Sequence, residues 1–207
     1  MEATAQGVAW LLNGATPAVD VPRRFAPQRN VELMDRFDLV VATQDWHPPN
    51  HGSFASNNPG AEPGEIRKLD GLDQIMWPDH CVQNTKGAEF VDGLRTERID
   101  EVFQKGTDPK VDSYSGFYDN ARRHATRLAD YLRDNGVDEV YVVGVATDYC
   151  VKFTVLDALS EGFDVSVVVD ATRGVNREEG DVDRAIEEMA AAGAKVVESS
   201  TSSRQSL

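Results

Sequence analysis

Three of the chain's four histidines, His47, His51 and His80, fall in one stretch that also carries Asp45. Asp45 and His47 stand two apart, just past the apolar run 39–43. Two-residue spacing in extended backbone puts both side chains on one face. His51 follows the turn-forming Pro48-Pro49-Asn50, and His80 arrives from the far end of a loop rich in Pro, Gly and Asn. One carboxylate and three imidazoles are a fitting donor set for a divalent Zn, Fe or Mn ion. The same spacing also reads as unrelated surface histidines beside a proline turn, because no single tight motif joins them. His124 reads as a solvated surface residue in a helix.

A second chemistry centres on Cys150. It follows the β-branched run Val140-Tyr141-Val142-Val143-Gly144-Val145 and opens a helical pattern. A helix N-terminus favours anions, lowers a thiol pKa, and offers backbone N–H groups to an oxyanion. The alternative is a small buried hydrophobe, a common fate of free cysteine. A nucleophilic thiol needs a cation or base beside it. Lys105, in Phe103-Gln104-Lys105-Gly106 at the end of a strand-like run, reaches the same sheet edge if the strands are parallel. Cys81 has no comparable setting and reads as structural.

Elements that position these residues follow from periodicity. Strands are expected over 39–43, 101–103, 140–145, 165–169 and 194–197, and helices over 120–134, 148–161 and 181–192, with Gly162 and Gly193 closing the last two. Strand and helix alternating at this spacing imply an α/β fold, a mostly parallel sheet with helices on both faces. Sites in such sheets lie at the carboxyl ends of strands. The long segment 48–97 is then a functional loop. Residues 1–30 lack a recognisable apolar strand and stand as an atypical N-terminal segment; 31–198 form the domain, and 199–207 a polar, frayed tail.

Composition narrows the function classes. The 207 residues carry 35 acidic and 21 basic side chains, a net charge of −14. No basic cluster exists beyond pairs such as Arg122-Arg123, which argues against nucleic acid as a partner. The acidic surface fits either a salt-tolerant source or an ordinary acidic cytoplasmic protein. No apolar run approaches the ~20 residues that span a bilayer, so no membrane partner is expected. Two cysteines are too few for a disulfide framework, and a reducing, cytoplasmic location follows. No G-x-G-x-x-G follows a strand, so no dinucleotide cofactor is expected.

Four segments together resemble the nicotinamidase (pyrazinamidase) family of isochorismatase-like cysteine hydrolases. They are Thr43-Gln44-Asp45-Trp46-His47-Pro48 through His51-Gly52-Ser53-Phe54, Met76-Trp77-Pro78-Asp79-His80-Cys81-Val82-Gln83, Phe103-Gln104-Lys105-Gly106 through Asp112-Ser113-Tyr114-Ser115-Gly116-Phe117, and Gly144-Val145-Ala146-Thr147-Asp148-Tyr149-Cys150-Val151-Lys152-Phe153-Thr154. The resemblance runs from about Val31 to Val197. It implies a three-layer α/β/α fold and hydrolysis of nicotinamide to nicotinate and ammonia, in NAD salvage. Cys150 and Lys105 match two members of an Asp, Lys, Cys triad. Asp45, His47, His51 and His80 match the ligands of one divalent metal ion that holds the pyridine nitrogen. Trp77 and Tyr114 match ring-flanking aromatics, and the N–H groups of Ala146 and Cys150 match oxyanion donors beside a cis peptide at Val145-Ala146. The implied partner is a small-molecule amide, with a homo-oligomer left open.

The chain departs from the family at the third triad member, an Asp ending the first strand in a pattern like D-x-Q-x-D-F. No such motif occurs, and Asp20 is a poor match, being too close to Asp45 with no apolar strand before it. Residues 1–30 are thus either an unusual native segment or the product of a misassigned start or a reading-frame slip upstream of Val31. Two alternatives stand beside the nicotinamide hydrolase: another amide hydrolase of the superfamily, for example on carbamoyl compounds, and a catalytically impaired metal-binding homologue.

Overall fold

A computed structural model describes residues 7–13 and 33–200. Six strands form one parallel sheet in the order β5-β2-β1-β6-β7-β8. These are β1 (Gly7–Asn13), β2 (Leu39–Asp45), β5 (Glu101–Lys105), β6 (Val137–Val145), β7 (Asp164–Arg173) and β8 (Lys195–Val197). A separate antiparallel hairpin, β3 (Ile66–Leu69) and β4 (Leu72–Ile75), sits inside the long segment after β2. Among the described residues three α-helices have both ends placed, α1 (Leu128–Asp134), α2 (Lys152–Ser160) and α3 (Asp181–Ala191).

Apolar alternation divides the core between the two sheet faces. Along β2, Val41 joins one cluster and Val40 and Ala42 the other; along β6, Val140 and Val142 go one way and Val143 the other. Successive strand residues point to opposite faces, so a sheet covered on both sides reads as a continuous apolar run. The first face packs against Leu128 and Leu132 of α1, Val155 and Ala158 of α2, and Met189 of α3. The second is covered by Leu33 and Met34, which are helical, with Phe37, Phe90, Leu94 and Ile99.

Strand order places the site. The chain moves outward from β1 through β2 to β5, then returns to the other side of β1 at β6 and continues to β7 and β8. The direction of winding reverses at β1, and such a reversal opens a crevice beyond the carboxyl ends of the flanking strands. Asp45 closes β2, Lys105 closes β5 directly opposite it in register, and Val145 closes β6.

Three expectations need correction. The N-terminal segment does carry a strand: β1 lies between β2 and β6 in the middle of the sheet, with Asn13 at its carboxyl end in register with Thr43 and Gly144. Its short run Val8-Ala9-Trp10-Leu11-Leu12 is apolar throughout and has no alternation to mark it as a strand. Asp20 lies outside the described residues. The helix expected over 120–134 begins only at Leu128. Upstream of it the Asp119 carboxylate accepts the N–H groups of Ala121, Arg123 and His124, a local turn that competes with the helix. His124 is therefore on a turn, exposed, with Nδ1 2.9 Å from Asp119. Finally, the tail starts pinned, since Ser199 donates its N–H and hydroxyl to Asp170.

Leu128 is fully buried between α1 and the sheet, whereas Val196 on β8 is 42% exposed. Leu128→Ala should lower unfolding free energy by about 2–5 kcal/mol and Val196→Ala by less than about 0.5 kcal/mol, read from urea midpoints. Equal losses would mean that the two-faced core is wrongly drawn.

Candidate active site

Lys105 anchors the arrangement. Its side chain is 2% exposed, and its ammonium donates to the Asp45 carboxylate and to the Ser113 carbonyl at 2.8 Å, with Cys150 Sγ at 3.4 Å. These contacts engage all three protons. Burial alone would push the lysine down, but Asp45 and then Cys150 outweigh it and hold its pKa above the ordinary value. Asp45 is likewise held below the usual carboxylate range: burial works against it, and Lys105 prevails.

Cys150 lies in a single π-type turn, Thr147–Val151, that leads into α2, and not in the first turn of a regular α-helix. The expected lowering of its pKa is not found. Burial pushes the thiol up to about 11, against the pull of Lys105. Ala146 precedes this turn, and the Val145-Ala146 peptide is cis. Cys81 is buried at φ +47°, and burial raises its thiol strongly.

The histidines converge beside this pair. The His47 backbone is stitched on both sides, its N–H donating to the Cys81 carbonyl at 3.0 Å and its carbonyl accepting from Gln83 N–H at 2.8 Å. Its Nδ1 donates to the Gly106 carbonyl at 2.8 Å. Gly106 sits at φ +65°, and a Cβ there would stand 2.4 Å from the His47 ring, so only glycine lets the ring approach. His80 donates Nδ1 to the Pro78 carbonyl at 2.8 Å, and His51 Nδ1 lies 2.7 Å from Ser53 Oγ. In His47 and His80 the carbonyl on Nδ1 fixes the proton there and leaves Nε2 as the atom that could meet a metal, whereas His51 Nδ1 also accepts the Ser53 N–H at 3.2 Å. The His47 ring centroid is 4.4 Å from that of His51 and 4.9 Å from that of His80. Burial lowers the pKa of His51 to about 4 and also lowers that of His80, so both are neutral at physiological pH.

His51 Nε2 is buried with no hydrogen-bond partner. A buried polar atom without a partner is costly in a folded protein, and a cation beside it removes the cost. The donor set of imidazoles and carboxylates suits a divalent ion of the Zn, Fe or Mn type. Among the described residues, the tightest group of donor atoms is His47, His51 and Asp112, all within 4.8 Å of one another. Asp45 and His80 flank His47 outside that group. Asp112, which sequence reasoning passed over, is 3% exposed and accepts from Gln74 Nε2 and Ser113 N–H.

An aromatic wall completes the cavity. Trp77 Nε1 donates to the Tyr114 hydroxyl at 3.1 Å, and Tyr149 packs edge-on to Trp77 with centroids 5.0 Å apart. Burial, then Asp112, keeps Tyr114 protonated well beyond the ordinary range. One cavity is lined by Asp45, His47, His80, Trp77, Tyr114, Ala146 and Cys150, together with Tyr149, Asp112 and Val175. His51 does not line this cavity. Sequence reasoning missed Tyr149, although it adjoins Cys150; Asp112, two residues before Tyr114; and Val175, which carried no signal.

A parallel α/β sheet with a cysteine, a buried lysine and a histidine cluster at its switch point defines a class, and comparison with known proteins agrees. The isochorismatase domain model matches residues 39–201. The chain belongs to that family. It is 57% identical to the nicotinamidase of Escherichia coli over 159 residues, which cover 77% of this chain and 74% of that one. A solved nicotinamidase/pyrazinamidase of Acinetobacter baumanii superposes with a TM-score of 0.87 at 37% identity, covering 96% of this chain and 99% of that one. A pyrazinamidase of Pyrococcus horikoshii in complex with zinc superposes with a TM-score of 0.72 at 37% identity, covering 92% and 98%.

Because Cys150 rests as a thiol, its alkylation by iodoacetamide should rise with pH from 7 to 10, about tenfold per unit, with no plateau until the pKa near 11 is reached. A plateau below pH 8, read by mass spectrometry of the modified peptide, would show that Lys105 dominates burial.

Proposed function

We propose that the protein hydrolyses the carboxamide of nicotinamide, and of pyrazinamide-type heteroaryl amides, to the acid and ammonia, as a cytoplasmic enzyme of NAD salvage. The observation that carries this reading is the continuous contact from Asp45 through Lys105 to Cys150 at the floor of an aromatic cavity. The nicotinamidase relatives support it. Trp77 and Tyr114 suit a flat heteroaryl ring.

The thiolate form of Cys150 attacks the amide carbon. Cys150 gives its proton to solvent to form it, and the Lys105 ammonium 3.4 Å from sulfur assists. The N–H groups of Ala146 and Cys150 receive the oxyanion, where one such donor contributes about 3–4 kcal/mol. As the tetrahedral adduct collapses, Lys105 gives a proton to the departing nitrogen, and ammonia leaves. The resulting neutral amine takes a proton from water as water attacks the thioester. This releases the acid and restores thiolate and ammonium, and the thiolate takes a proton back from solvent to return to the resting thiol. Asp45 keeps Lys105 in place throughout. His47, His51 and His80, with Asp45 and with Asp112 alongside, would hold a divalent ion, whose contribution when bound is to position the ring nitrogen. The zinc complex of the P. horikoshii relative supports that assignment.

A second reading, an impaired homologue, has one observation in its favour. β1 ends in Asn13, at the strand position where the family resemblance calls for the triad aspartate.

Ammonia release from nicotinamide by the metal-supplemented chain tests the proposal. Cys150→Ala and Lys105→Ala should each lower kcat by at least about 100-fold while the far-UV spectrum is kept. A silent wild type that Asn13→Asp awakens would establish the impaired reading instead. Metal content measured by mass spectrometry should be close to one ion per chain and fall in His51→Ala; undiminished metal in that variant would remove His51 from the ligand set.

A further inference from the structure

Asp148 sits two residues before the nucleophile and is 6% exposed. Its carboxylate does not face the cavity chemistry. One oxygen accepts the N–H of Val175 at 2.9 Å, and the other accepts the N–H of Asn176 at 2.7 Å. These two residues belong to the loop that leaves β7, and Val175 lines the cavity with Trp77, Tyr114 and Tyr149. Gly174 makes the approach feasible: a Cβ there would stand 2.2 Å from Val182 Cγ2 and 3.0 Å from Asp148 Oδ1. Farther out, Arg177 reaches across to the Gly64 carbonyl at 3.3 Å, beside the β3–β4 hairpin. The loop is thus held at the nucleophile turn on its inner side and at the hairpin on its outer side.

We propose that Asp148 is a positioning residue that fixes Val175 as a wall of the ring slot, so that the pair sets which ring substituents the site admits. The proposal rests on the heteroaryl-amide reading above. Charged acceptors give the stronger hydrogen bonds to backbone N–H groups. A two-oxygen clamp on consecutive N–H groups therefore holds this loop more rigidly than van der Waals contact alone. Val175 is then the aliphatic surface against which an extra ring methyl is accepted or refused, a discrimination of about tenfold or more in a hydrophobic pocket. Asparagine at 148 keeps the shape but offers only one accepting oxygen, and its NH2 group faces the second N–H.

The test compares kcat and KM for nicotinamide and for its 5-methyl and 6-methyl derivatives in wild type, Val175→Ala and Asp148→Asn, with iodoacetamide alkylation of Cys150 as a second readout. Val175→Ala should raise kcat/KM for at least one methylated ring about tenfold relative to nicotinamide. Asp148→Asn should move that ratio in the same direction, raise KM for nicotinamide about five- to tenfold, and leave kcat within about twofold. Alkylation of Cys150 should be unchanged in both. Unchanged substrate ratios in an active enzyme overturn the proposal. So does an Asp148→Asn protein that loses kcat and Cys150 alkylation together, since the residue would then serve the nucleophile turn. Should Asp148→Asn fail to fold, Val175→Ala, which keeps every backbone bond, decides the wall by itself. A wild type inactive on all three amides overturns the functional reading and this inference with it, a result distinct from unchanged ratios.

Discussion

The ion pair between Asp45 and Lys105 is the contact on which the site depends. It joins the last residues of two adjacent strands, directly opposite each other in register. Burying an ammonium is expensive unless it is fully paired, and removing one partner of such a pair typically costs about 3–5 kcal/mol because the other is left uncompensated. Here the carboxylate, the Ser113 carbonyl and the Cys150 sulfur take every proton the lysine can offer. Lys105 therefore cannot turn away from Asp45 and Ser113 without leaving an unpaired charge inside the protein, and only its proton toward sulfur faces the cavity chemistry. That constraint aims the ammonium at sulfur, and it ties three chain segments distant in sequence to one point.

The histidine cluster is built on the same edge by backbone pairing. Trp46 N–H donates to the Lys105 carbonyl at 2.9 Å, extending the β2–β5 ladder by one step, and His47 then pairs with the 81–83 segment. The long segment after β2 is therefore well satisfied despite having little regular structure. Asn57 and Asn58 hold it further, their amides donating to the carbonyls of His51, Gly52 and Phe54. These bonds hold the loop's histidines in fixed orientation, as a metal site would require.

How much of this was legible in the sequence follows the range of each cause. Asp45, His47, Lys105 and Cys150 were readable because each stands at the end of an apolar run, and a parallel sheet brings strand ends to one edge. The sheet class was readable for the same reason. β1 was not, because a five-residue apolar run among Ala and Gly has no period to distinguish it, and only its neighbours in the sheet select it as a strand. The turn at Asp119 was not, because a helical pattern of apolar residues continues upstream of Leu128 and one side chain diverts the backbone. Asp112 and Asp148 were unreadable as functional groups. Asp112 meets Gln74 across 38 residues of chain and Asp148 meets Val175 across 27, contacts that no local pattern encodes.

Burial at Cys150 sets the terms of reactivity. A thiol pushed up to about 11 is ionised only in small part at neutral pH, yet the thiolate it yields is the more basic and more nucleophilic for that reason. An exposed thiolate of low pKa would be abundant and weak, suited to exchange with disulfides and poorly suited to an unactivated amide. Lys105 offsets part of the penalty by placing positive charge 3.4 Å from sulfur, and Asp45 prevents that charge from being lost to burial. The acid that keeps Lys105 charged also limits how far Lys105 can draw the thiol down, since Asp45 itself raises Cys150. The three groups therefore balance one another, and moving any one of them shifts the ionisation of the other two.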